Sequence, residues 1–138
     1  MSFVLDNSIA LSWCFESEQT ADVMALLERV SEHGAVAPPL WPIEALNGLL
    51  VAERRQRIDR ATAEQLVTFL RSLPIVIDDQ TASRVWTMTA ELARRFGLTA
   101  YDAAYLELAH RLSLPLATKD KALRAAARDA AIRLLPAI

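Results

Sequence analysis

Apolar residues along the chain recur at two spacings. Short runs of consecutive apolar residues alternate with longer stretches in which they return every three or four positions. The first spacing marks strands buried on both faces, the second amphipathic helices. Ser2–Asp6 is a short β-favouring run that ends in an acid, and Asn7–Phe15 then reads as helix. Over Glu18–His33, Val23, Met24, Leu27 and Val30 share one helix face, and Gly34 stops it. Ala35–Ala37 is a short strand before Pro38 and Pro39. From Pro42 to Arg55, Ile43, Leu46 and Leu50 mark a further helix. Ala63, Leu66, Val67 and Leu70 mark the next, over Arg60–Ser72. Pro74–Asp78 reads as a strand of the buried kind. A long helix is expected over Gln80–Phe96, with Val85, Thr89, Leu92 and Phe96 in a stripe and Gly97 as its cap. Thr99–Leu112 carries Tyr101, Tyr105, Leu108 and Leu112 in line. A strand at Leu116–Thr118, a short helix over Asp120–Arg128 and a strand at Ile132–Leu135 complete the pattern.

Strands separated by helices imply βαβ units, a parallel sheet and right-handed crossovers. The expected fold is therefore α/β, a short five-stranded parallel sheet flanked by helices. A length of 138 residues, without repeat or linker, predicts a single domain spanning 1–138.

Composition narrows the function. With 53% hydrophobic residues, 23% charged and only three glycines, the chain is neither disordered nor low in complexity. The one cysteine, Cys14, excludes an internal disulfide and a Cys-rich zinc module, and two histidines argue against a His-based metal site or triad. No apolar run approaches the ~20 residues of a membrane span. Met1–Asp6 lacks the basic start and apolar stretch of a signal peptide, so a cytoplasmic address and no membrane contact are expected. A net charge of −2 is too balanced for nucleic-acid binding through overall charge. A local patch or a metal ion would have to do that work.

Gly-rich phosphate loops, dinucleotide fingerprints, serine nucleophile elbows and zinc-type His pairs are all missing. Cys14, between Trp13 and Phe15, reads as packing. What remains is four acids in particular places. Asp6 ends the first strand, Glu44 and Asp102 open helices, and Asp120 follows the strand at Leu116–Thr118. Ligands of open parallel sheets bind beyond the carboxyl ends of the strands, where strand order reverses. Each acid also has a local explanation. Asp6 and Asp120 could cap helices, Glu44 could meet a helix dipole, and Thr99 with Asp102 matches a capping box. Convergence of all four is harder to explain by capping. At ~5 Å and an effective dielectric of about 20, each pair repels by about 3 kcal/mol before screening. A hard divalent cation with oxygen ligands relieves that repulsion and can activate a water for attack on a phosphodiester.

Four stretches together resemble a known family. They are VLDNS at 4–8, APPLWPIEALN at 37–47, GLTAYDAAYL at 97–106 and LATKD at 116–120. In this order and spacing they resemble the PIN-domain family, closest to the VapC-type toxins of bacterial type II toxin–antitoxin systems. The resemblance covers nearly the whole chain and implies a PIN-like three-layer fold. It places the family's four catalytic acids at Asp6, Glu44, Asp102 and Asp120. Asp6, Asp102 and Asp120 would hold Mg²⁺ or Mn²⁺ most directly, with Glu44 helping through the metal or its waters. Ser8 and Thr118 would orient the ligands, with Asn47 on the same helix face as Glu44. The implied activity is endoribonuclease cleavage of RNA phosphodiesters, neutralised by a cognate VapB-type antitoxin.

Arg54, Arg55 and Arg57 form a basic cluster that could grip RNA phosphates, or a solvated helix end. Trp13, Trp41 and Trp86 read as packing or partner-contact residues. A homodimer is expected, with the apolar helix surface around Pro39–Val51 as a groove for an antitoxin helix. Two other readings stand beside the nuclease. One is a catalytically silent PIN domain that binds protein or RNA. The other is a phosphatase or phosphoacceptor domain with Asp6 as nucleophile and Lys119 as its cationic companion.

Overall fold

A computed structural model describes residues 2–137. Five parallel strands form one sheet in the order β3-β2-β1-β4-β5. They are β1 (Val4–Leu5), β2 (Ala35–Ala37), β3 (Ile75–Ile77), β4 (Leu116–Ala117) and β5 (Leu134–Leu135). The chain steps outward from β1 to β3, then crosses back to β4 beside β1, with Val4 opposite Leu116 and Leu5 opposite Ala117. That reversal is the topological switch point.

The helices are α1 (Asn7–Ser12), α2 (Ala21–His33), α3 (Trp41–Arg54), α4 (Arg60–Ser72), α5 (Thr81–Arg84), α6 (Ala90–Phe96), α7 (Ala100–Leu112) and α8 (Lys121–Asp129). Right-handed crossovers in the two opposite directions set the helices before β3 on one face and those after it on the other. The result is the expected three-layer α/β fold. Phe3, Val4 and Leu5 are fully buried between the layers, with Ile9, Leu49, Leu106, Leu108, Leu116 and Leu123. Among the described residues no helix is long and apolar enough to cross a membrane.

Capping explains where the expected boundaries moved. The second helix begins at Ala21, not Glu18, because the Thr20 side chain accepts from the Val23 N–H; Glu16–Glu18 forms a separate 3₁₀ turn. The first helix ends at Ser12, and Trp13 is buried with its indole N–H on the Val23 carbonyl at 2.8 Å. The long helix over 80–96 is interrupted by a π-helical segment at Val85–Thr89, although its stripe of Thr89 and Leu92 is buried as expected. Gly97 caps it in the left-handed conformation. Several apolar positions expected inside are exposed, among them Ile43, Leu46, Tyr101 and Leu112 on helices, and the buried reading of Pro74–Asp78 fails. The Ile75–Ile77 strand lies at the sheet edge and leaves Val76 64% exposed, because nothing pairs beyond it. An apolar run cannot distinguish an edge strand from a central one.

Gly34 joins α2 to β2 at φ 71° and ψ −179°, a region open almost only to glycine. A Cβ there would also lie 2.9 Å from the Pro74 carbonyl oxygen. Gly34→Ala should therefore lower stability by about 1–3 kcal/mol. Urea unfolding should show the midpoint falling at unchanged slope.

Candidate active site at the carboxyl edge of the sheet

Asp6 leaves β1 at the switch point and is buried. Its Oδ2 accepts three hydrogen bonds, from Ser8 Oγ at 2.6 Å, Thr118 Oγ1 at 2.8 Å and the Ser8 N–H at 3.2 Å. Both hydroxyls also accept. Ser8 Oγ takes the Lys119 N–H at 2.9 Å, and Thr118 Oγ1 takes the Asp120 N–H at 3.1 Å. Ser8 and Thr118 thus clasp the β1 and β4 loops to one carboxylate. Burial pushes the Asp6 carboxyl above its ordinary value, and these bonds pull it back only in part.

Glu44 sits in the first turn of α3, whose start is set by Pro42. Its Oε1 accepts from the Tyr105 hydroxyl at 2.5 Å, so α3 and α7 meet above the sheet edge. Burial raises the Glu44 carboxyl, the Tyr105 bond lowers it, and the charges of Asp6 and Asp102 raise it again. Asp102 lies in the first turn of α7. The Thr99 hydroxyl accepts from the Asp102 N–H at 3.1 Å, but among the described residues the carboxylate does not return the bond. The capping box is half made, and the Asp102 carboxyl is pushed up to about 6 by burial and by the charges of Asp120 and Asp6. Asp120 is exposed and caps α8 through Oδ1, 2.8 Å from the Leu123 N–H. Capping and convergence coexist, since each cap engages one oxygen.

The structure therefore brings Asp6 and Asp102 within electrostatic reach of Glu44, Asp120 and Asp6 within reach of Asp102, and Ser8 and Thr118 onto Asp6. Asn47 is exposed one turn beyond Glu44 and makes no side-chain hydrogen bond among the described residues. Arg54 and Arg55 are exposed. Arg57 is engaged elsewhere, 4.4 Å over the Phe15 ring and 3.8 Å from Glu18. The Lys119 amine lies 2.9 Å from Ser12 Oγ and 3.8 Å from Glu18, so the cation that a phosphoacceptor needs is turned away from Asp6. Cys14 is half-buried and its thiol is pushed up to about 11 by burial and by Glu18, which leaves it unreactive. Trp13 and Trp41 are buried and Trp86 is 88% exposed, consistent with packing for the first two and partner contact for the third.

Among the described residues, no three His, Cys, Asp or Glu side chains form a ready cage for a metal ion. The donor set nonetheless fits a hydrated hard cation. Its atoms are carboxylate oxygens, burial and then neighbouring negative charge raise the Glu44 and Asp102 carboxyls, and the buried Asn7 Oδ1 beside Asp6 in sequence has no hydrogen-bond partner. Mg²⁺ keeps several waters and takes only one or two carboxylates directly.

Sequence reasoning read Tyr105 as core alone. A fully buried tyrosine needs a partner for its hydroxyl, and Tyr105 lies one turn after Asp102; those two facts point to the site. Asp78 was also passed over, though like Asp6 it follows a strand. It is saturated: Arg111 donates to both its oxygens, at 3.3 and 2.7 Å, Thr81 donates at 2.5 Å, and Arg111 also pairs with Glu107. Burial alone would raise the Asp78 carboxyl; these bonds hold it below the ordinary range.

This fold has counterparts among solved structures. The PIN domain family matches residues 3–129, and the chain belongs to that family. PAE2754 from Pyrobaculum aerophilum superposes with a TM-score of 0.68 at 23% identity, covering 100% of this chain and 88% of that one. FitAcB from Neisseria gonorrhoeae gives 0.66 at 17%, covering 97% and 96%. VapBC2 from Rickettsia felis, solved bound to a DNA fragment from their promoter, gives 0.65 at 14%, covering 97% of each. At these identities the likeness is one of fold. No curated protein matches the chain.

Because the folded protein holds the Asp102 proton more tightly than the unfolded chain, ionisation of Asp102 opposes folding. The penalty is fully present above pH 6 and disappears as pH falls from 6 toward 4. Metal-free Asp102→Asn should be more stable than wild type at pH 7.5, by on the order of 1 kcal/mol after solvent screening. The two melting curves should converge near pH 4.5. Thermal unfolding in EDTA across that pH range measures it; an Asp102→Asn protein that melts well below wild type throughout would make Asp102 a capping residue only.

Proposed function

We propose that this PIN domain is a Mg²⁺- or Mn²⁺-dependent endoribonuclease of the VapC type, neutralised by a cognate antitoxin. The observation that carries the reading is that Glu44 feels the charges of Asp6 and Asp102, and Asp102 those of Asp120 and Asp6, while among the described residues no basic side chain hydrogen-bonds to any of the four. Asp6, Asp102 and Asp120 would hold the ion and Glu44 would act through it or its waters. When bound, such an ion supplies Lewis acidity and an activated water for in-line displacement at phosphorus. The chain supplies the rest. Ser8 and Thr118 fix the Asp6 carboxylate, and Tyr105 fixes Glu44. Arg54 and Arg55 stand exposed at the end of α3 for RNA phosphates.

The partner reading has support of its own. Trp41, Leu46, Leu49, Val67, Ile75 and Ile77 line an apolar groove of about 430 Å³ between α3, α4 and β3. Such a groove suits the apolar face of an antitoxin helix, and an arginine beyond it could pair with the acids in place of the metal. The exposed apolar side chains Ile43, Trp86 and Tyr101 leave surface for a second copy, and a homodimer is part of the proposal.

Asp6→Asn and Asp120→Asn should each lower cleavage of total RNA by about 100-fold or more, given that an outer partner of a metal ligand alone is worth 10- to 100-fold. EDTA should abolish cleavage and Mn²⁺ restore it. Undiminished cleavage in Asp6→Asn or in EDTA would refute the mechanism. Absence of cleavage in the metal-loaded wild type would favour a silent binding domain. Leu46→Asp should keep RNA cleavage and lose copurification with the product of the neighbouring gene; retained copurification would move the antitoxin off this groove.

A further inference from the structure

Arg124 lies on the inner face of α8 and is buried, yet among the described residues no carboxylate pairs with it. Its guanidinium donates only to backbone carbonyls. Nη1 reaches Thr118 O at 2.7 Å and Leu135 O at 3.5 Å, and Nη2 reaches Pro136 O at 2.8 Å. A buried guanidinium is costly to desolvate, and here burial holds it below its ordinary pKa. Thr118 is the residue whose hydroxyl donates to Asp6 and accepts the Asp120 N–H.

We propose that Arg124 is a positioning residue of the acidic site, holding the 118–120 loop from beneath while Ser8 and Thr118 hold it from above. The loop amides are tied to the hydroxyls of Ser8 and Thr118, and the Thr118 carbonyl points to Arg124. With both sides of the Thr118 peptide fixed, Asp120 has one backbone setting relative to Asp6. The same guanidinium ties the Leu135–Pro136 segment to that loop, so the residues after β5 are part of the support of the site. A carbonyl cluster of this kind requires a planar donor with several N–H groups, which lysine does not have. The inference rests on the metal-site reading for its effect on metal binding, and on the described hydrogen bonds alone for its effect on the loop.

Two variants test it, Arg124→Lys and Arg124→Gln, each checked for folding by near-UV circular dichroism. Hydrogen exchange of the Lys119 and Asp120 amides is measured in the metal-free protein, and Mn²⁺ affinity by titration calorimetry. Both variants should fold. Exchange at the two amides should accelerate about tenfold against unchanged exchange in β1, and the Mn²⁺ dissociation constant should rise 10- to 100-fold, the range for an outer partner of a metal ligand. Wild-type exchange and affinity in a folded variant would overturn the proposal. So would loss of the fold in both variants, which would make Arg124 a fold-holding residue and nothing more. A wild-type protein that binds no Mn²⁺ refutes the metal site instead, and the exchange comparison then decides the role of Arg124 by itself.

Discussion

A carboxylate buried at the end of the central strand constrains everything around it. Removing an anion from water costs several kcal/mol unless its oxygens find donors. Asp6 finds one of them in Thr118, 112 residues away, and that bond exists only if β4 lies beside β1. Strand order, the crossover back from β3 and the placement of α7 over β1 and β4 are all consistent with that pairing. The clasp is reciprocal, since the hydroxyls that serve Asp6 also receive the Lys119 and Asp120 amides. A loop that would otherwise expose two amides is folded onto the acid it supports.

Asp78 shows what the protein does when it wants a carboxylate neutralised. It too ends a strand and is buried, but Arg111 and Thr81 meet both of its oxygens and Glu107 shares the same guanidinium. Among the described residues, Asp6 is given hydroxyls and no cationic side chain. The contrast separates an acid used to staple β3 to α7 from acids left with unbalanced charge. Glu44 and Asp102 belong to the second group, and burial together with neighbouring negative charge raises their affinity for protons.

Much of this was legible in the sequence. Apolar runs and helical stripes located every strand and nearly every helix, because period and burial are coupled in a doubly wound sheet. The four acids were legible because each sits at a strand end or helix start. What could not be read was tertiary choice. Ile75–Ile77 looks as apolar as Phe3–Leu5, and only strand order makes one an edge. Gln80–Phe96 has an unbroken stripe, and the π-helical turn at Val85–Thr89 leaves that stripe intact. Tyr105 and Arg124 were hidden for the same reason: their partners, Glu44 and three backbone carbonyls, are set by the fold and carry no local pattern.

The division of the site between segments 112 residues apart bears on when it can form. Asp6 and Ser8 are translated well before Thr118 and Asp120. Until β4 is synthesised and released, Asp6 has no Thr118, the central sheet has no right-hand half and the acids have no common edge. A growing chain therefore has no assembled acidic edge until β4 has emerged. A chain cut short before Thr118 would carry Asp6 without the hydroxyl that seats it.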